Sequence, residues 1–522
     1  MSNPNTPSSG AHRAAGTFDT GSVAYDRRLT TFDATMVVVG AIIGAGIFLN
    51  PAIVAQRVGS GGMILAAWAL GGVIALLGAL CFAELGGRLP RAGGGYVYLR
   101  EAYGPLPAFL YGWTQLLVIN TGGIAAVAVT FAAYGVNLVG GGEAWIKPVA
   151  VAAILLLSAV NAAGVRFGAL VQNTFTLLKL VALALLVVAG AWVWVRTAGV
   201  APAATGADVG AASGAATAAA SSVLGSGEAQ PAPLLAMGTA LVAVLFAYGG
   251  WQHANNIAEE IRNPVRSLPR ALLVGVAVVV TVYVLANVAY LAALGPAGLA
   301  GSTAPAADAL GRAFGGVGRI LMGIGVVFST FGILNVFILS APRIYREMAA
   351  DGLFFRGVAR LNPRTRAPVL GILIQAVWAV TLALSGTYAE LLDWVVFGDW
   401  IFFGLIAATL FTFRRRDGAG GADGARDAHS DLHGDAHGAD GGPSSPSREE
   451  ACGGGAPERR GRPDTFRISL HPLVPGLFVL TAAFVVFSSV VSNPRNAMYG
   501  ALVIGAGVPV FLGWRRGRRS LP

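Results

Sequence analysis

Charge is what this chain has least of. Only 12% of its 522 residues are Asp, Glu, Lys or Arg, about half the share of an average soluble protein. A soluble fold of this length would need far more polar surface. Cysteine is nearly absent: Cys81 lies in an apolar run and Cys452 in a polar stretch. That excludes a disulfide framework and leaves no zinc-ligand spacing. The first 32 residues hold no short apolar core followed by a small-residue cleavage site. They read as a disordered cytoplasmic tail, not a signal peptide. No paired carboxylates, nucleophile–base set or metal-ligand cluster stands within the apolar segments, so neither an enzyme, a metal site nor a cofactor is expected.

What the chain has instead is apolar length, with 55% of its residues hydrophobic. Stretches of about 20 apolar residues recur from Asp33 to Trp514, each enough to cross a bilayer as a helix. Continuous runs such as Val149–Ser158 and Leu272–Val284 exclude barrel strands, which would alternate polar and apolar residues. The expected fold class is an all-α membrane protein of twelve transmembrane helices. The spans fall at 33–56, 63–86, 105–138, 147–165, 170–196, 233–260, 268–294, 316–343, 368–386, 392–413, 472–492 and 497–514. Segments 197–232 and 414–470 read as flexible low-complexity insertions. The second carries His429, His433 and His437, for which a solvated linker is the plainer reading than a metal-sensing tract.

The net charge of +10 would suggest nucleic acid in a soluble protein, but here the arginines sit in the loops of one side. Arg88, Arg91 and Arg100, Arg262, Arg266 and Arg270, and Arg414–Arg416 are examples. By the positive-inside rule that side is cytoplasmic, which places both termini in the cytoplasm of a plasma (inner) membrane protein and demands an even span count. The lipid bilayer, not nucleic acid, is the partner that these charges imply.

Two spans carry glycine-rich interruptions at matching places. The first holds Gly40-Ala41-Ile42-Ile43-Gly44-Ala45-Gly46-Ile47-Phe48, and the sixth holds Phe246-Ala247-Tyr248-Gly249-Gly250-Trp251. Their spacing suggests a five-span unit, 33–196, repeated in inverted orientation as 233–413. Helices 11 and 12 (471–514) and a basic tail (515–522) follow. In such 5+5 architectures, paired broken helices mark a midplane binding site. Unwinding frees N–H and C=O groups that hydrocarbon cannot satisfy. The N-terminal ends of the half-helices suit a carboxylate, and the released carbonyls suit an ammonium or cation. The alternative is that the glycines only permit close helix packing; a matched pair favours a site.

These residues resemble the amino acid–polyamine–organocation superfamily and, within it, the L-type amino acid transporters. The likeness rests on G-A-I-I-G-A-G-I-F in span 1, on Phe82-Ala83-Glu84-Leu85-Gly86 through Tyr96, and on Phe246–Trp251 through Glu259-Glu260-Ile261-Arg262-Asn263-Pro264. It implies the leucine-transporter-like fold and sodium-independent amino acid transport. By that resemblance, amides around Gly44, Ala45, Gly46 and Ile47 would bind the substrate carboxylate, and carbonyls near Ile42, Ile43, Phe246 and Ala247 its amino group. Phe246 would gate the site, and Tyr248, Gly249, Trp251 and Gln252 would line it. Lys179 would stand as an ammonium where sodium-coupled relatives hold a cation, or serve as a proton site; a snorkelling lysine is the alternative.

Other polar groups are open between two roles. Glu84 with Arg88 reads as a gate or as a simple i,i+4 pair. Glu259 and Glu260 read as an inner gate or a solvated helix end. Asp399, beside Trp400, would favour a cationic side chain or take a proton if it reached the pocket. Ser329, Thr330 and Asn335 face either the site or a neighbouring helix. Relatives that join a single-span glycoprotein do so through a cysteine between spans 3 and 4. Segment 139–147 has none, so no disulfide-linked heavy chain is expected. The expected function is secondary transport of neutral amino acids by alternating access, as an exchanger or a proton symporter. A cationic amino acid or polyamine antiporter and a non-transporting amino acid sensor are the rivals.

Overall fold

A computed structural model describes residues 25–198, 233–385, 388–431, 465–492 and 494–519. Helix is the only extended secondary structure among them, apart from a single parallel bridge between Leu29 and Ile261. In chain order the helices are α1 Thr31–Ile42, α2 Gly46–Val58, α3 Gly61–Arg88, α4 Gly95–Tyr103 and α5 Pro105–Thr114. Then follow a π-helical turn at Gln115–Ile119, α6 Asn120–Leu138, α7 Ile146–Ala162, α8 Val165–Ala198, α9 Pro233–Tyr248 and α10 His253–Asn256. The remainder are α11 Pro264–Ala300, α12 Pro305–Ser340, α13 Pro342–Ala350, α14 Val369–Ser385, α15 Tyr388–Asp431, α16 Leu473–Ser492 and α17 Pro494–Arg519.

Local chemistry sets many of these boundaries. Thr30 and Asp33 form a reciprocal capping box at the start of α1, satisfying donors that a helix N-terminus leaves free. Proline opens α5, α11, α12 and α13, where its missing N–H costs nothing. Gly59 closes α2 in a left-handed conformation. Apolar side chains such as Leu155, Leu156, Leu177, Val181 and Val188 remain exposed along the helices, which is the arrangement that lipid, not water, accommodates.

By length and apolarity, nine helices among the described residues can each cross a bilayer, and ten if α1 and α2, bent by 40°, form one span. The expected spans at 233–260 and 368–386 correspond to helices of 16 and 17 residues, α9 and α14. Straight crossings of about 20 residues therefore account for fewer than the expected twelve. Two boundaries also differ from expectation. Residues 25–32 of the expected tail are held against the bundle, where Leu29 exchanges backbone hydrogen bonds with Glu260 and Arg262 and Tyr25 packs with Ala92 and Leu361. Helix α15 continues to Asp431, into the expected 414–470 loop. Residues 432–464 of that loop, 199–232, 1–24 and the end of the basic tail lie outside the described residues.

Two apolar cores organise the bundle. The larger joins α1, α2, α3, α8, α9 and α11. A second gathers Ile124 and Ala128 of α6, Ile154 and Leu157 of α7, Leu334 and Ile338 of α12, and Ile372 and Ala376 of α14.

Candidate functional site

The break between α1 and α2 is three residues long. Ile43 leaves the helix in an extended conformation, and the chain turns through Gly44 and Ala45 before α2 begins at Gly46. The second break spans Gly249–Gln252, between α9 and α10. The two breaks adjoin through glycine. A Cβ on Gly46 would stand 2.8 Å from the Cβ of Ala247, and one on Gly250 would stand 2.5 Å from the carbonyl oxygen of Ala41. Gly250 also has φ +125°, which L side chains disfavour. Backbone meets backbone here because no side chain intervenes.

Unwinding leaves polar groups free, and their partners come from other helices. The Lys179 ammonium, fully buried on α8, donates to the carbonyl oxygens of Gly40 at 2.9 Å and Ile43 at 2.6 Å. A Cβ on Gly332 of α12 would lie 3.3 Å from its Nζ, so the lysine sits among α1, α8 and α12. The Ser329 hydroxyl approaches Ile43 O at 3.3 Å and Gly44 O at 3.5 Å. The hydroxyl of Tyr283 on α11 lies 3.0 Å from Ile42 O and 3.2 Å from Ala247 O, touching both breaks at once. One turn pair further on, Tyr290 donates to Ile47 O at 3.1 Å. Gln252 folds back so that its side-chain oxygen accepts from the Gly250 N–H at 3.1 Å.

What stays open is small and specific. Ala45 and Gly249 are partly exposed, and Phe246 is 36% exposed while its neighbours Ala247 and Tyr248 are buried. The first N–H groups of α2 have no intrahelical acceptor by construction and carry the positive end of its dipole. The carbonyls of Ile42 and Ala247 share the one proton of the Tyr283 hydroxyl and so keep acceptor capacity, whereas Ile43 O already faces both Lys179 and Ser329. The arrangement can therefore receive an anionic group at the α2 end and a cationic group at the carbonyl edge.

Several expected site residues have their partners away from the junction of the breaks. Trp251 packs in an aromatic cluster with Phe82, Phe403 and Phe478, which Trp400 also joins. Tyr248 donates to Trp68 O and packs edge-on against Trp68 and tilted against Tyr283. Asn335 bonds Gly168 O, Gln172 and Asn161, tying α12 to α7 and α8. Thr330 bonds within its own helix. Asp399 lies against Gln115 of the π-helical turn, with one carboxylate oxygen lacking a partner. Glu84 is fully buried and accepts from Arg88, from Arg414 at 2.7 and 2.8 Å, and from the Ile468 N–H. It joins α3, α15 and the segment before α16 at the arginine-rich end. Glu260, rather than Glu259, makes the buried ion pair there, with Arg343 at 2.7 Å, both side chains nearly inaccessible. Tyr25 lies over Arg343 and Arg346. Burial pushes its phenol well up from the ordinary value, against the pull of the two guanidinium groups. No group of three or more potential metal-ligating side chains stands among the described residues.

Sequence reasoning missed Tyr283, Tyr290 and His253. The last is buried, with Nδ1 2.6 Å from the Ser340 hydroxyl and its ring against Phe337. A signal for the tyrosines was available: Tyr283, Asn287 and Tyr290 recur at the i, i+4, i+7 spacing of a single helix face.

The chain matches the amino acid permease family over residues 29–508. It is 32% identical over 387 residues to the b(0,+)-type amino acid transporter 1 of Mus musculus, covering 73% of this chain and 75% of that protein. It is 31% identical over 405 residues to the human large neutral amino acids transporter small subunit 2, covering 76% of this chain and 71% of that one. Over 493 residues it is 28% identical to the serine/threonine exchanger SteT of Bacillus subtilis, which covers 93% of this chain and 96% of SteT. A helical membrane chain with two adjoining interrupted helices, and with this similarity over most of its length, belongs to the amino acid permease family, whose members are transporters and not enzymes.

Proposed function

We propose that the chain is a sodium-independent secondary transporter of neutral amino acids, working by alternating access as an exchanger or a proton symporter. The observation that carries this reading is the junction of the two breaks, Gly46 against Ala247 and Gly250 against Ala41. It sets the positive end of α2 beside a carbonyl edge, and a zwitterion complements both. The groups that line the opening are apolar or aromatic, Ala45, Gly249 and Phe246, which suits an uncharged side chain. Lys179 supplies a fixed ammonium beside the break, which supports transport without sodium. The named relatives are amino acid transporters and an exchanger, in keeping with this cargo.

In this proposal the described helices form twelve spans in a 5+5 inverted repeat, α9 with α10 and α14 completing the count. Both termini lie in the cytoplasm of a plasma membrane, because the arginine-rich end is the inner one. The substrate carboxylate binds at Ala45, Gly46 and Ile47, and Phe246 closes over it. The second apolar core, around α6, α7, α12 and α14, acts as a scaffold against which the helices carrying the breaks rock. The Glu260–Arg343 pair seals the inner end in this conformation. No disulfide-linked partner is required by this arrangement.

Counterflow of labelled amino acids in proteoliposomes, run with a panel of twenty and with imposed pH and sodium gradients, tests the proposal. Exchange of neutral amino acids unaffected by sodium is expected. Flux competed by polyamines would replace it with the cationic antiporter, and binding without flux with a sensor.

A further inference from the structure

At the arginine-rich end lies a cavity of about 970 Å³, far from the helix breaks in composition. Its wall is built from the segment before α1, the turn between α7 and α8, the end of the second broken span and the segment that leads into α14. Five arginines line it: Arg28, Arg166, Arg262, Arg364 and Arg366. Three carboxylates also do, and each is already engaged. Asp26 pairs with Arg28 at 2.8 Å, Glu260 with Arg343, and Asp33 accepts from Thr30 and Asn173. Arg262 lies near enough to Asp33 to feel its charge but makes no ion pair with it. Among the described residues, none of Arg166, Arg262, Arg364 and Arg366 lies within ion-pair distance of a carboxylate.

Arginines on this side are expected of a membrane protein from topology alone. Topology does not require that four of them, from three separate segments, converge on one cavity with no ion-pair partner among the described residues, where five arginines face three carboxylates. Arg366 is held there in a left-handed backbone conformation, φ 55°, which a non-glycine residue seldom adopts. The 34-residue helix α8 also begins at the cavity, with Gly164, Val165 and Arg166 in its wall. Its first N–H groups therefore add to the positive field.

We infer that this cavity binds the phosphate headgroup of an anionic membrane phospholipid. The guanidinium fork matches phosphate oxygens in geometry as well as charge, and basic pockets between membrane helices favour such headgroups. A lipid, rather than a free phosphate ion, is the source because the cavity has an apolar lip. Phe167 and Leu170 line it and are 57% and 63% exposed, and the exposed face of α8 continues through Leu177 and Val181. That stripe offers acyl chains a path along the bilayer-facing helix. The headgroup would contact α1 and the end of the broken second span on one side and α7, α8 and the loop before α14 on the other. It would brace elements of both apolar cores in the conformation seen here.

The test uses the full-length protein in nanodiscs of phosphatidylcholine, with or without a minority of phosphatidylglycerol. Native mass spectrometry should show a retained phosphatidylglycerol molecule, and the melting temperature should rise with that lipid and lose the rise at high salt. Arg166→Gln with Arg364→Gln should retain the lipid less, by roughly five-fold per arginine at about 1 kcal/mol each. In phosphatidylcholine alone the variant should melt with the wild type, since neither arginine has an ion-pair partner. Equal retention by wild type and variant would overturn the site. Equal stabilisation of the wild type by glycerophosphate or inorganic phosphate in phosphatidylcholine discs would make it a free-anion site and overturn the lipid. Should the double variant fail to fold, Arg364→Gln alone is read in its place, with a roughly five-fold loss of retention expected and equal retention overturning the site.

Discussion

The ammonium of Lys179 lies 2.6 Å from the carbonyl oxygen of Ile43, the residue at which α1 stops being helical. One side chain from α8 thereby satisfies a carbonyl that the break releases, and a second bond to Gly40 O holds the last turn of α1. Substitution of Lys179 by Ala should leave Gly40 O without its side-chain donor, at about 1–3 kcal/mol, and Ile43 O with only the longer Ser329 contact. Uptake in proteoliposomes should fall by at least roughly ten-fold, the factor that about 1.4 kcal/mol represents. Uptake equal to wild type, with and without a pH gradient, would remove Lys179 from the mechanism.

Gly250 tests the contact between the two breaks. Alanine there would meet Ala41 O at 2.5 Å and be forced to φ +125°, a strain of about 1–3 kcal/mol before any clash is counted. The Gly250→Ala protein should melt at a lower temperature in detergent and transport poorly. Gly249→Ala is the control for the melting temperature, because a Cβ there meets only Phe246 O and Leu245 O at 3.5 and 3.8 Å. If the two variants behave alike, the close approach has no special role.

Tyr283 separates the hydroxyl from the ring. Tyr283→Phe keeps the contacts with Trp68 and Tyr248 while removing the group that bridges Ile42 O and Ala247 O. A loss of about 1 kcal/mol in stability is expected for the missing hydrogen bond, together with weaker substrate affinity, read as a raised KM for uptake. A changed melting temperature with unaltered KM would confine the residue to structure.

Phe246, in the last turn of α9, is the exposed aromatic beside the second break. Phe246→Ala should raise KM and speed release of bound substrate, whereas Phe246→Trp should retain binding. Scintillation-proximity binding measures both, and a Phe246→Ala protein with wild-type affinity would deny it a gating role.

The Glu260–Arg343 pair is nearly inaccessible, so removing one charge strands the other in a medium of low dielectric. Glu260→Gln should cost about 3–5 kcal/mol. It should also open the arginine-rich end, so that a cysteine placed at Ala169, in the cavity wall, reacts faster with a maleimide. A double change of Glu260→Gln with Arg343→Met should recover part of the stability, since no unpaired charge remains. Failure to recover any would show that the pair is not the dominant interaction at that end.

Composition and hydrophobic runs determined much of this protein by themselves. Scarce charge and apolar stretches long enough to span a bilayer leave helices as the available solution, because hydrocarbon cannot satisfy an open backbone edge. The glycines at 44, 46, 249 and 250 marked both interruptions, since a local conformational freedom is written in a local residue type. Proline and capping residues set helix starts for the same reason.

Tertiary structure decided which side chains serve the interruptions. Trp251, within the second break itself, turns into an aromatic cluster with Phe82 and Phe403, while Tyr283, more than thirty residues later, reaches both breaks. Glu260 and Glu259 are neighbours, yet only the first faces Arg343, because helical rotation sends adjacent side chains in different directions. Sequence spacing specifies a face of one helix; which neighbour that face meets is fixed only when the helices pack, and the partners of the freed backbone groups are chosen there.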